Sequence, residues 1–335
     1  MLVTPVRIGL IGAGRIGASH ADVIARRVPE ATLVAVSDPR PGAAALVAEP
    51  LGAWAETSVE AVLTADDVDA VVIAASSVAH AELIIAAAQA GKHVFSEKPA
   101  GMTLDEIDAA RTAATRAGVA FQVGFNRRFA REFVAAHDAI TAGRLGAVRQ
   151  LRSLTRDPGR GPSDPDVVPP WTIFTQTLIH DFDTLNWLNP GAHAVDVMAT
   201  AASLTSPGHA TLLDHATVVI RYDNGAIATA EASFAATYGY DVRGEVLGSD
   251  GMVTMGDGAQ SSLRLHDADG RVAVTTHSDT ELLIDAYTAE FAEFALAVQQ
   301  GRTPSVTGDD AFAAFAIAQA CIDSIRSGAR AEVPR

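Results

Sequence analysis

Over its first 125 residues the chain alternates short, nearly all-apolar runs with longer Ala-rich stretches whose apolar positions recur at helical spacing. Residues 6–11, 32–37, 68–75, 92–95 and 119–123 read as strands, and 16–27, 79–90 and 104–117 as helices. Strands that are apolar on both faces and alternate with helices predict parallel βαβ units. Beyond Arg144 the pattern changes. Residues 148–155, 217–222, 226–235 and 241–247 read as strands, with turn signals at Asp223-Asn224-Gly225 and Ser249-Asp250-Gly251, so antiparallel hairpins are expected. The glycines and prolines of Asp157-Pro158-Gly159-Arg160-Gly161-Pro162 predict an irregular, functional loop. Apolar residues at 178, 182, 185 and 188 mark a further helix, and 286–299 and 309–327 read as two closing helices.

Two strand ends in the first half carry chemistry. Gly12-Ala13-Gly14-Arg15-Ile16-Gly17 follows the first strand and opens a helix. Gly12 permits the tight turn, Gly14 lets the backbone approach a pyrophosphate, and Gly17 lets helix and strand pack closely. The helix N-terminus offers free N–H groups to the phosphates. Asp38 ends the second strand, where a carboxylate accepts hydrogen bonds from ribose hydroxyls and repels a 2′-phosphate, which argues for NAD. Arg40 lies close enough to serve a 2′-phosphate, so NADP stays the alternative; Asp38 also suits an N-cap of the next helix. The second strand end is Ser96-Glu97-Lys98-Pro99, which brings a lysine to the lip of the sheet, where open α/β sheets bind ligands. Pro99 holds Lys98 in extended geometry and leaves a cis peptide open.

A third constellation lies on the helix marked by the 178–188 stripe. There Gln176 and His180 are expected one turn apart on one face, with Asp183 three residues further on. A histidine beside a carboxylate suits a general base near neutral pH, whereas a histidine on such a helix also serves as a satisfied core residue. Metal binding would need several ligands at suitable spacing, and no such set accompanies His180. His80, His93, His137, His193, His209, His215, His266 and His277 are scattered, form no cluster and read as surface or core residues.

Composition narrows the classes. With 335 residues the chain exceeds one ordinary domain, and 48% hydrophobic against 19% charged residues supports sizeable cores. A net charge of −15 argues against nucleic acid or anionic membrane as partner. The single cysteine, Cys321, has no internal partner for a disulfide, which fits a reducing cytoplasm. No signal peptide opens the chain and no apolar run reaches transmembrane length, so a soluble protein is expected.

These motifs, in this order, resemble the Gfo/Idh/MocA oxidoreductase family, and especially its inositol 2-dehydrogenase branch. The resemblance rests on the glycine loop, Glu97-Lys98-Pro99, Val123-Gly124-Phe125-Asn126-Arg127-Arg128-Phe129 and Thr177-Leu178-Ile179-His180-Asp181-Phe182-Asp183. Tyr238-Gly239-Tyr240-Asp241, Glu245-Val246-Leu247-Gly248-Ser249-Asp250-Gly251 and Ala286-Tyr287 extend it over nearly the whole length. It implies an α/β Rossmann domain with a parallel sheet over residues 1–125. An α+β domain with a large, open, mostly antiparallel sheet follows over 126–335; its last helix packs back on the first domain, and its sheet joins subunits into homodimers or homotetramers. The implied cofactor, NAD, is held by Gly12, Gly14, Arg15, Ile16, Gly17, Asp38, Arg40, Ala75, Ser76, His80, Glu97 and Lys98. Lys98 and His180 take the catalytic positions. Lys98 hydrogen-bonds the reacting hydroxyl of a polyol or sugar, and His180 takes its proton. Asn126, Arg127, Asp157, Gln176, Tyr238, Tyr240 and Tyr287 match substrate-contacting regions, although Tyr287 also reads as a core aromatic and Asp157 as a turn cap.

One residue departs from the pattern. The inositol branch carries an aspartate four residues before the histidine, and this chain has Gln176, which cannot supply that negative charge. Either His180 is a weaker base, or Gln176 sets specificity toward a sugar or glycoside, or Asp157 or Asp183 substitutes. The family also contains glycosidases that use NAD transiently, NADP-dependent keto-sugar reductases and non-catalytic sugar-binding regulators; retention of both Lys98 and His180 argues against the last.

Overall fold

In the computed structural model the described residues are 4–159, 168–205, 207–209, 212–256, 263–268 and 270–335. They form two compact units, Met1–Phe129 with Ile284–Phe312 and Ala130–Leu283 with Ala313–Arg335. The first unit carries β1 (Val6–Ile11), α1 (Arg15–Arg27), β2 (Ala31–Ser37), α2 (Ala43–Ala48), β3 (Trp54–Glu56), α3 (Val59–Thr64), β4 (Ala70–Ile73), α4 (His80–Gln89), β5 (His93–Ser96), α5 (Leu104–Ala117) and β6 (Phe121–Val123). The six strands are all parallel, in the order β3-β2-β1-β4-β5-β6. Every residue of β4 is buried, as expected for a strand covered on both faces. The 68–75 run yields a shorter strand because only 70–73 pair with β1 on one side and β5 on the other. Helix α5 has the expected bounds, for a local reason. Thr103 Oγ1 accepts the Glu106 N–H at 3.2 Å, the Glu106 carboxylate reaches back to the Met102 N–H at 2.6 Å, and Gly118 closes the helix at φ +67°.

The second unit begins with α6 (Arg131–Thr141) and β7 (Val148–Pro158). It continues through α7 (Ile179–Trp187), β8 (Ala194–Ala202), β9 (His215–Tyr222), β10 (Ile227–Ala236), β11 (Asp241–Gly248) and β12 (Met252–Met255). A separate hairpin of β13 (Arg264–Asp267) and β14 (Gly270–Ala273) leads to α8 (Asp279–Leu282). Two long helices follow, α9 (Ile284–Gln300), which belongs to the first unit, and α10 (Gly308–Ser327), and β15 (Ala331–Glu332) ends the order. The main sheet runs β12-β11-β7-β10-β9-β8-β15 and is antiparallel throughout except for the β7–β10 pair. β9 alternates, with Ala216, Val218, Ile220 and Tyr222 buried and Thr217, Val219 and Arg221 exposed, so one face of the sheet is covered and the other open.

The turn signals at Asp223-Asn224-Gly225 and Ser249-Asp250-Gly251 close the expected antiparallel hairpins β9–β10 and β11–β12, while β7 lies between β10 and β11. Two expectations are corrected here. Asp157 and Pro158 belong to strand β7 rather than to a loop; Pro158 is tolerated because it is the last residue, where a missing N–H costs no interior ladder bond. Arg160, Gly161 and Pro162 of that segment lie outside the described residues. Asp38 does not cap the next helix, whose N-cap is Gly42. Among the described residues no helix is long and apolar enough to cross a membrane.

Candidate active site

In the first unit the strand order reverses between β1 and β4, and the glycine loop leaves β1 at that switch point. Gly12 adopts φ +102°, and a Cβ there would meet Ala74 O at 2.6 Å. A Cβ on Gly17 would stand 2.0 Å from Gly12 O, so only glycine lets α1 start this close to β1. Gly14 differs, because a Cβ there would meet nothing within 4 Å. The space over Gly14 is open, and the first turn of α1 has neither a side-chain cap nor an acidic residue. That open cradle at a helix N-terminus fits a dinucleotide pyrophosphate. Asp38, 4% exposed at the end of β2, accepts the Ala13 N–H at 2.8 Å and is forked by Arg40, Nε to Oδ1 and Nη2 to Oδ2, both at 2.9 Å. The Arg40 hydrogen bond, helped by the Ala13 and Arg40 N–H groups and opposed by burial, holds the Asp38 carboxyl far below the usual range.

At the end of β5, Ser96, Glu97, Pro99 and Ala100 are buried and Lys98 is half-buried, with a cis Lys98–Pro99 peptide. Lys98 is one of two lysines among 25 basic residues; the other, Lys92, donates to Ala65 O and Val68 O, both at 2.8 Å. His80 is 1% exposed, and its ring bridges Pro99 O at 2.8 Å and Ala75 O at 3.0 Å, so it braces the Lys98–Pro99 turn against the loop after β4. Ser76 in that loop is exposed and Ala75 half-buried, whereas Arg15 and Ile16 stand on the first turn of α1. Asn126 and Arg127 follow β6, 5% and 2% exposed, and Asn126 Oδ1 finds no partner among the described residues. Tyr287 on α9 packs its ring 5.2 Å from that of His20 and is buried, as a core aromatic would be. His20 itself was not legible as a site residue, since on an amphipathic helix it reads only as core.

In the second unit His180 is the second residue of α7 and half-buried. Its neighbour Asp181 is fully buried and accepts from Ser153 Oγ at 2.5 Å and Thr155 Oγ1 at 2.6 Å, which fixes the start of α7 on β7. Gln176 does not lie on a regular α-helix with His180. Ile173–Thr177 forms a π turn, in which the Leu178 N–H bonds Ile173 O five residues back at 2.8 Å. Such turns recur at functional sites. Trp171, just before it, has φ +65° and carries the Arg326 guanidinium 5.4 Å from its ring centroid. Asp183 is buried, Asp157 half-buried at the end of β7, and Tyr238 and Tyr240 join β10 to β11. The Tyr238 hydroxyl donates to Asp241 at 2.7 Å and accepts from Arg156 at 3.0 Å. Among the described residues no group of three or more His, Cys, Asp or Glu is arranged to hold a metal ion.

A parallel sheet of this order, a glycine loop at its switch point and a carboxylate ending β2 define an NAD-binding Rossmann oxidoreductase. The chain belongs to the Gfo/Idh/MocA oxidoreductase family. Residues 6–125 match the family's NAD-binding Rossmann fold and residues 137–333 its C-terminal alpha/beta domain. It is 37% identical to inositol 2-dehydrogenase of Rhizobium meliloti (strain 1021), over 96% of this chain and 97% of that one. With scyllo-inositol 2-dehydrogenase (NAD(+)) of Bacillus subtilis (strain 168) it shares 35% identity over 96% and 95%. Among solved structures it is similar to scyllo-inositol dehydrogenase from Lactobacillus casei with bound NAD(H) and scyllo-inositol, at a TM-score of 0.93 and 25% identity over 98% of this chain and 99% of that one.

Proposed function

We propose that the protein oxidises a secondary hydroxyl of a cyclic polyol, an inositol first among them, to the ketone with NAD. The observation that carries this reading is Lys98, held at the end of β5 in the same sheet as the open cradle over Gly14, in a chain matched over 96% of its length by inositol 2-dehydrogenases. NAD, when bound, supplies the hydride acceptor. The N–H groups around Gly14, Arg15 and Ile16 hold its pyrophosphate, and Asp38 takes the adenosine ribose hydroxyls. Lys98 donates to the reacting hydroxyl and stabilises the alkoxide as it forms, and His180 accepts the hydroxyl proton. Asn126, Arg127, Asp157, Gln176, Tyr238 and Tyr240 are assigned to the polyol's other hydroxyls. Tyr287 is assigned a packing role, on its burial against His20.

Gln176 favours a second substrate class, sugars or glycosides, because it replaces the carboxylate of the inositol branch. A cytoplasmic setting is part of the proposal, on the single buried cysteine. So is a homodimer or homotetramer through the open sheet face, where Met198, Val219, Ile227 and Leu247 stand 38–48% exposed. The test is NADH formation by the purified protein with NAD and a panel of inositols, free sugars and glycosides. Absence of NADH with every polyol and sugar, while NAD still binds, would sink the dehydrogenase reading; glycoside cleavage without net NADH would replace it with the NAD-using glycosidase.

A further inference from the structure

Helix α1, the end of β5, β6 and α9, all in the first unit, bring a set of buried polar groups around Glu97, the residue before Lys98. His20 of α1 is fully buried, and its Nε2 lies 2.7 Å from Glu97 Oε1. The other oxygen of Glu97, Oε2, accepts the Lys98 N–H at 3.2 Å. Phe95, Tyr287 and Phe291 surround the imidazole with ring centroids at 6.4, 5.2 and 4.9 Å. His20 Nδ1 finds no partner among the described residues, so a proton there would be buried without an acceptor. The ring proton therefore belongs on Nε2, where it is donated to Glu97.

A second carboxyl enters the same core. Glu290 of α9 is fully buried, and neither of its oxygens has a partner among the described residues; Gln122 of β6 bonds its backbone oxygen at 3.1 Å. Two carboxyls in one dry core do not both ionise. Burial, and then the nearness of Glu97, push Glu290 well above the usual range. For Glu97, burial pushes upward, but the His20 hydrogen bond and the nearby Lys98 and His80 hold it below its ordinary value. The titratable groups facing Glu97 are thus His20 from α1, His80 from α4, Lys98 beside it and a protonated Glu290 from α9.

We propose that His20 is a positioning residue for the reaction: by donating to Glu97 it fixes one carboxylate negative charge against Lys98, and the ammonium state of Lys98 depends on that charge. Glu290, kept neutral, leaves that charge single. The inference rests on the reading of Lys98 as the group that stabilises the alkoxide.

The scarcity of lysine makes the charge state directly measurable. Protein labelled with [13Cε]lysine gives two side-chain signals, Lys92 and Lys98, separated by the Lys92→Arg variant. In Glu97→Gln, which keeps the shape of the side chain, the Lys98 titration midpoint is expected to fall by about one pH unit or more, since a neighbouring anion is lost. His20→Phe should lower it in the same sense, because an unsupported buried Glu97 takes up a proton. His20→Gln, whose amide N–H reaches near the position of Nε2, should restore most of the midpoint and of kcat. An unmoved midpoint in Glu97→Gln overturns the inference, and one that moves there but not in folded His20→Phe removes His20 from the role. Full turnover in Lys98→Ala would instead sink the catalytic reading, whatever the titration of Lys98 in the wild type.

Discussion

Arg40 folds back onto Asp38 and grips both oxygens of the carboxylate that accepts the Ala13 N–H of the glycine loop. The exposed arginine is thereby spent on Asp38 instead of waiting for a 2′-phosphate. Asp38→Ala should free it. Two hydrogen bonds to a charged group are worth about 1.5–3 kcal/mol each, so kcat/KM for NAD should drop by at least about 100-fold while the preference over NADP shrinks at least tenfold. Arg40→Ala should leave NAD use within about threefold of wild type, because the guanidinium is largely exposed. Initial rates with both cofactors decide it, and an unchanged ratio in Asp38→Ala would discard Asp38 as the discriminating group.

Lys98→Ala is expected to cut kcat by about 1,000-fold, since it removes both a proton-sharing donor and the charge that meets the alkoxide. NAD affinity, read by fluorescence titration, should stay within a few-fold.

Gln176→Asp would return a carboxylate to the π turn before His180. Activity is expected to move toward inositols and away from sugars by about tenfold in the ratio of kcat/KM values, an ion–dipole contact exchanged for a charged one. If inositols and every sugar respond alike, Gln176 does not set specificity.

The two loop glycines should separate stability from binding. A methyl at Gly17 runs into Gly12 O, so Gly17→Ala is expected to destabilise the first unit by about 1–3 kcal/mol as well as weaken NAD. Gly14→Ala meets open space in the unliganded protein, so its melting temperature should match wild type while NAD binding falls at least tenfold. Thermal melts with and without NAD read both effects.

Asp214 gives the second unit an acid-sensitive point. Burial raises its carboxyl, but hydrogen bonds from the Thr205 hydroxyl, His215 Nδ1 and the Leu204 and Thr205 N–H groups win and bring it down to about 2. Because the folded value lies below the unfolded one, its contribution is complete above about pH 4 and is lost as pH falls through about 2, some 2 kcal/mol in all. Urea denaturation across that window should therefore be about 2 kcal/mol less pH-dependent in Asp214→Asn than in wild type.

The sequence makes legible what local chemistry decides. Leu104–Ala117 matches its reading because Thr103, Glu106 and Gly118 cap it from within the segment. The glycine loop is legible because Gly12 and Gly17 each answer a separate steric demand of the fold, while Gly14 keeps the cradle between them open. What escapes depends on partners far along the chain. No pattern in β7 announces a parallel pairing with β10, since a strand's neighbour is chosen by tertiary packing rather than by its own residues. His20 and Glu290 escape for the same reason, as a histidine and a glutamate on amphipathic helices whose only distinguishing property is that they meet around Glu97 in one core.

The π turn at Ile173–Thr177 has a consequence for how this chain can change. A π turn holds one residue more than an α turn, so removing a single residue there would restore the regular ladder and swing everything before it by about 100°. Gln176 would then give way to a different neighbour of His180 without any substitution. On the proposed role of Gln176, length rather than composition becomes a dial for substrate choice at this position, and relatives that differ here by one codon inserted or lost are the natural variants in which to look for it.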